Sequence, residues 1–150
     1  MYNVTECLVN STVMCQKCIS QDSMPKTTET YWNPLLSANM HRWGSIEGME
    51  GIAEEVTLAI DEKTGDYTRL TRFKPGADTS SSGAKSHDYP EEIMIIEGRL
   101  YDAAFDRWLE VGDYASRPPG EVHGPFKTDS GCVVLEMSFP SMSVGEGNDT

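Results

Sequence analysis

Lys85-Ser86-His87-Asp88-Tyr89-Pro90-Glu91-Glu92-Ile93-Met94-Ile95-Ile96-Glu97-Gly98, continued by Gly112-Asp113-Tyr114-Ala115-Ser116-Arg117-Pro118-Pro119-Gly120-Glu121-Val122-His123, is the stretch whose reading decides the fold. Ile93 to Ile96 is a short apolar run bounded by charges, as in a strand buried on both faces. Gly98 permits a turn into Arg99-Leu100-Tyr101, and Phe105 to Leu109 reads as the next strand. Gly112-Asp113 is a turn, Tyr114 to Arg117 a strand, and Pro118-Pro119-Gly120 a rigid bend. A histidine, a carboxylate four residues on and a second, distant histidine thus fall on strands and tight turns. A small barrel holds a metal in its mouth in this way.

Outward from this stretch the strand rhythm continues. Val122 to Phe126 and Cys132 to Phe139 read as the last strands, separated by Thr128-Asp129-Ser130-Gly131. Upstream, Tyr67 to Phe73 alternates Tyr67, Arg69, Thr71 and Phe73 against Thr68, Leu70 and Arg72. Before it, Ile52, Val56, Leu58 and Ile60 share one face of a strand, and Asp61 to Asp66 forms the turn between the two. Tyr31 to Leu36 and Met40 to Gly44 carry aromatic residues that could cover an open end of the domain or a sheet edge. Short strands, Gly/Pro turns and no persistent helical period predict an all-β antiparallel barrel or sandwich. The expected boundaries are an N-terminal extension over 1–28, the β domain over 29–140 and a tail over 141–150.

The charge sets limits on partners. Asp and Glu number 24 against 12 Lys and Arg, a net charge of −12. That opposes nucleic acid, which wants a clustered basic face, and anionic membrane surfaces. No apolar run approaches the ~18 residues of a membrane-spanning helix. The N-terminus lacks the basic start and apolar core of a signal peptide. The expectation is a cytoplasmic protein whose sequons at Asn3, Asn10 and Asn148 go unused. Cys15-Gln16-Lys17-Cys18 has zinc-knuckle or redox spacing, but no second ligand pair follows. Cys7, Cys15, Cys18 and Cys132 therefore read as free thiols.

Two imidazoles and one carboxylate, His87, Glu91 and His123, suit a borderline divalent ion such as iron, manganese, nickel, copper or zinc. Three protein ligands leave coordination positions open for water and substrate, as a catalytic site requires. Pro90 stands between His87 and Glu91, so a turn entering a strand must bridge them.

These residues resemble the two motifs of the cupin superfamily. The first motif runs glycine, five residues, His-x-His, three or four residues, Glu, six residues, Gly. His87, Glu91 and Gly98 match its second histidine, its glutamate and its closing glycine. The second runs Gly, five residues, Pro-x-Gly, two residues, His, and Gly112, Pro118, Gly120 and His123 match it without a gap. The resemblance implies a single antiparallel cupin β-barrel, or jelly roll, and is closest to the small single-domain cupins that include acetylacetone-cleaving dioxygenases. The first motif departs from the pattern at two positions, where Lys85 replaces the first histidine and Thr79 the opening glycine. With one expected ligand missing, a metal-free pocket stands as the alternative, in which His87 and Glu91 are a hydrogen-bonded pair and His123 a polar wall residue.

Other site candidates follow from strand parity. One of Arg69 and Arg72 must face inward, where it would grip a substrate carboxylate or enolate. Tyr101, Tyr114 and Glu136 also lie on strands that could line the cavity, and Glu136 interrupts an apolar run. Lys85 or Glu91 could carry a proton where it is not bound to metal. The functional expectation is an enzyme acting on a small carbonyl, enol or hydroxy-acid metabolite by C–C cleavage, decarboxylation, dehydration or tautomerisation. A metal-free acid–base cupin and a ligand-binding sensor are the alternatives. The expected assembly is a homodimer, because a sheet edge needs cover.

Overall fold

A computed structural model of the chain describes Lys26 and residues 29–145. Cys7, Cys15, Cys18, the three sequons and most of the expected N-terminal extension lie outside the described residues. Eight strands follow in order: β1 (Gly44–Ser45), β2 (Ala53–Ile60), β3 (Tyr67–Phe73), β4 (Glu91–Asp102), β5 (Arg107–Glu110), β6 (Tyr114–Arg117), β7 (Phe126–Lys127) and β8 (Cys132–Ser138). The described helical segments are short 3₁₀ turns, at Ser37–Arg42, Ser80–Ser82 and Pro140–Met142. No helix among the described residues is long and apolar enough to cross a membrane.

Every strand pair is antiparallel, in the spatial order β1-β2-β3-β8-β4-β5, with β6 and β7 also paired to β4. The result is a curled sheet whose concave face is the interior, as the all-β reading anticipates. β4 is the organising strand. Its first half lies between β8 and β6, and its second half pairs with β5 and β7.

The run Ile93 to Ile96 is not buried on both faces. Ile93 and Ile95 are buried in the interior, whereas Met94 is 40% exposed, so β4 alternates like a half-solvated strand. Gly98 does not turn the chain either. β4 continues to Asp102, and the register against β8 slips between Ile95 and Glu97. Gly98 takes φ +69°, and a Cβ there would lie 1.9 Å from the Gly131 carbonyl oxygen. The closing glycine of the first motif is required by this bulge and close approach.

Two apolar clusters face opposite sides of the sheet. The inner one joins Ala53, Phe73, Ile93, Ile95, Leu100, Leu109 and Val134. The outer one joins Val56, Leu70 and Val133, and Trp32, Leu35 and Trp43 pack over it. Each fully buried side chain of this size contributes about 1.5–3 kcal/mol. Trp32, Leu35 and Trp43 therefore cover the outer sheet face rather than an open end, while Tyr31 is exposed. Trp43 Nε1 anchors this cover by donating to Pro34 O at 3.0 Å.

Candidate functional site

Register builds the site. Glu91, the first residue of β4, is paired with Arg117 on β6 and with Ser138 on β8. Directly paired residues share a face of a sheet, so all three point inward. Arg117 Nη1 donates to Glu91 Oε2 at 2.8 Å and Ser138 Oγ donates to Oε1 at 3.2 Å. Glu91 and Arg117 are both buried. Arg117 also reaches Asp102, with Nη2 3.8 Å from Oδ2. Asp102 Oδ1 in turn accepts from the Gly124 amide at 2.8 Å, one residue past His123.

The two histidines come from the loops that frame β4 and β6. Lys85 and His123 form an isolated antiparallel bridge, each amide donating to the other's carbonyl at 2.9 Å. Gly120, in the bend after Pro118-Pro119, donates its amide to His87 O at 2.7 Å. The second motif is thereby tied to the first through the backbone. The rings of His87 and His123 lie 5.1 Å apart, and Tyr89 stacks on His87 at 4.9 Å. Thr79, where the motif has glycine, secures the loop by accepting the Phe126 amide on its hydroxyl at 2.7 Å.

The surroundings of His123 favour its neutral form. Burial first, and then the Arg117 guanidinium, push its pKa below the ordinary value. Its Nδ1 lies 3.2 Å from the Glu121 carbonyl, which can only accept. Nδ1 therefore carries the hydrogen and Nε2 keeps the lone pair. His87 Nε2 lies 4.0 Å from Glu91 Oε1.

Donor atoms of His87, Glu91 and His123 all lie within 4.8 Å of one another. Ligands about 2.1 Å from a common ion stand roughly 3–4 Å apart, so modest side-chain closure brings this set to coordinating distance. Among the described residues, buried Glu91 and Asp102 are met by the Arg117 guanidinium and Glu136 by that of Arg69.

A cavity of about 270 Å³ opens onto this cluster, and Arg69, Thr71, Lys85, Arg117 and Glu136 are also in its wall. Arg69 and Glu136 are paired residues of β3 and β8. Arg69 Nε donates to Glu136 Oε2, and Nη1 donates to Glu55 Oε2 at 2.7 Å. Burial raises the Glu136 carboxyl above its usual range against the pull of Arg69, and the nearby Glu91 charge adds to the rise.

Of the residues singled out from sequence, Arg69, Lys85, His87, Glu91, His123 and Glu136 meet in one cavity. Arg72 and Tyr101 do not. Arg72 lies on the opposite face of β3, bonded to Glu54 and stacked over Trp43. Tyr101 follows the β4 bulge, bonds Asp106 at 2.5 Å and sits against Trp108 outside. Tyr114 is exposed. Arg117 and Ser138 are the residues that sequence reasoning missed. A signal for Arg117 existed, because a charge two residues after Ala115 shares its face on β6 and the Pro-Pro bend then fixes the strand end.

The model of the ChrR cupin-like domain family matches residues 25–140. No curated protein matches the sequence. Among solved structures, an RmlC-like cupin from Shewanella frigidimarina superposes with a TM-score of 0.59 at 16% identity, over 78% of this chain and 95% of its own. An acetylacetone dioxygenase from Acinetobacter johnsonii gives 0.56 at 15% identity, over 75% and 74%. A chain of the Rhodobacter sphaeroides complex between SigE and the anti-sigma ChrR gives 0.50 at 15%, over 65% and 49%. At these identities the likeness is one of fold.

Proposed function

Because the chain belongs to the ChrR cupin-like domain family, we propose that it is a small-molecule cupin enzyme holding one divalent ion on His87, Glu91 and His123. The convergence of these three donors inside a cavity carries the reading. A bound ion there supplies Lewis acidity to a carbonyl or enol oxygen of a small metabolite, and three ligands leave it room to do so.

The chain's own residues divide the remaining work. Glu121 fixes the His123 tautomer through its carbonyl. Arg117 and Ser138 hold the Glu91 carboxylate in one orientation. Glu136, buried and raised in pKa, is placed to take or return a proton at a substrate carbon or oxygen, and Arg69 keeps it aimed into the cavity. Zinc, manganese, nickel or iron satisfies the donor set. The same proposal includes a cytoplasmic homodimer. Trp32, Leu35 and Trp43 are packed on their own sheet, so another surface serves the pairing.

A second reading is a ligand-binding cupin without turnover. Glu91 already has hydrogen-bond partners on both oxygens, which favours a site that is complete without metal. Metal analysis of the purified protein, with Glu91→Gln and His123→Ala beside the wild type, separates the two. The enzyme reading expects about one equivalent of metal, lost in both variants with the fold retained. The sensor reading expects none in any of them.

A further inference from the structure

Three cationic residues are in the cavity wall: Arg69, Arg117 and Lys85. Two of them are already engaged by carboxylates. Arg69 is held by Glu136 and Glu55, and Arg117 by Glu91 and Asp102. Lys85 has no ion-pair partner among the described residues, although Glu47 is in the same wall. Its backbone bridge to His123 places the two side chains on the same side of the pair. His87 follows two residues on, and Lys85 stands at the position where the motif has a further histidine.

The buried carboxylates of the cavity wall have their partners: Glu91 is bonded by Arg117 and Ser138, and Glu136 by Arg69. Lys85 is, among the described residues of the wall, the cationic side chain left to take an acceptor.

We propose that Lys85 is the anion anchor of this cavity and that the ligand is a small oxo- or hydroxy-acid whose carboxylate it binds. The inference rests on the metal-site reading above and adds the substrate class. Lys85 replaces a neutral ligand by a positive charge next to the ion. A dication and the ammonium repel, and a carboxylate lying between them relieves that repulsion. Metal and carboxylate accordingly bind with positive coupling, each tightening the other by the same factor. A neutral diketone of the same size gains nothing from Lys85.

The test is calorimetric titration of the full chain with pyruvate and with 2,3-butanedione, near-isosteres that differ in charge. Zinc is titrated first, alone. The proposal expects pyruvate to bind the zinc-loaded wild type at least about tenfold more tightly than butanedione, the value of a hydrogen bond to a charged group. It also expects pyruvate to raise zinc affinity. In Lys85→Met the preference falls to within about twofold, while Lys85→Arg keeps it. Lys85 is solvent-exposed, so these variants are expected to fold, and matched melting curves check this. Equal binding of the two ligands by the wild type, or a preference that survives in Lys85→Met, overturns the proposal. Absence of zinc binding overturns the metal site instead. Lys85 is then judged on the metal-free protein, where the same preference is required in weaker form.

Discussion

Arg117 and Glu91 face each other across the β4–β6 pair, with Nη1 2.8 Å from Oε2 and both side chains more than nine-tenths buried. A buried pair of this kind is costly to break from one side, because the remaining charge has no water to return to. Arg117→Met is therefore expected to lose about 3 kcal/mol or more of stability. Denaturant unfolding checks this. Zinc is expected to recover part of the loss, since it restores a positive partner to Glu91. A loss under about 1 kcal/mol would show that the pair is solvated and that the Glu91 geometry is not fixed by Arg117.

Glu136 gives a pH signature. Burial holds its carboxyl above the ordinary value of 4.5. The folded chain keeps a proton that the unfolded chain has lost, so this residue's contribution to stability declines as pH rises from about 4.5 through the raised value. Glu136→Gln removes that dependence. The melting temperature of the variant minus that of wild type is expected to become more positive as pH rises above 4.5. A difference that stays flat as pH rises contradicts a carboxyl raised by burial at Glu136.

Gly98 is tested by adding one carbon. Its φ of +69° and the 1.9 Å approach of a Cβ to Gly131 O leave alanine no place without moving β4 or β8. Gly98→Ala is expected to cost at least about 2 kcal/mol. Gly120→Ala, where φ is +84° and no atom lies within 4 Å of a Cβ, is expected to cost less. Equal losses would mean that φ alone, and not the contact with Gly131, accounts for the closing glycine.

How much of this was legible beforehand differs residue by residue. The Pro118-Pro119-Gly120-Glu121-Val122-His123 spacing and the alternation of β3 pointed to the barrel, and both follow from local rules of turns and period two. The same alternation decides between the arginines, since Arg69 and Arg72 are an odd number of residues apart and only one can face in. Tyr101 was misplaced because a bulge shifts parity, and Gly98 alone does not tell a bulge from a turn. Arg117 and Ser138 escaped because their role depends on register between distant strands, which one sequence does not display. The same holds for Asp102, whose link to Gly124 crosses 22 residues.

The central claim is that His87, Glu91 and His123 share one ion. Anomalous diffraction from a zinc-soaked crystal, collected on both sides of the zinc edge, tests it most directly. The account predicts a single strong peak about 2.0–2.2 Å from a nitrogen of each histidine and an oxygen of Glu91. Density without a peak there, with Glu91 still bonded to Arg117 and Ser138 alone, would contradict it.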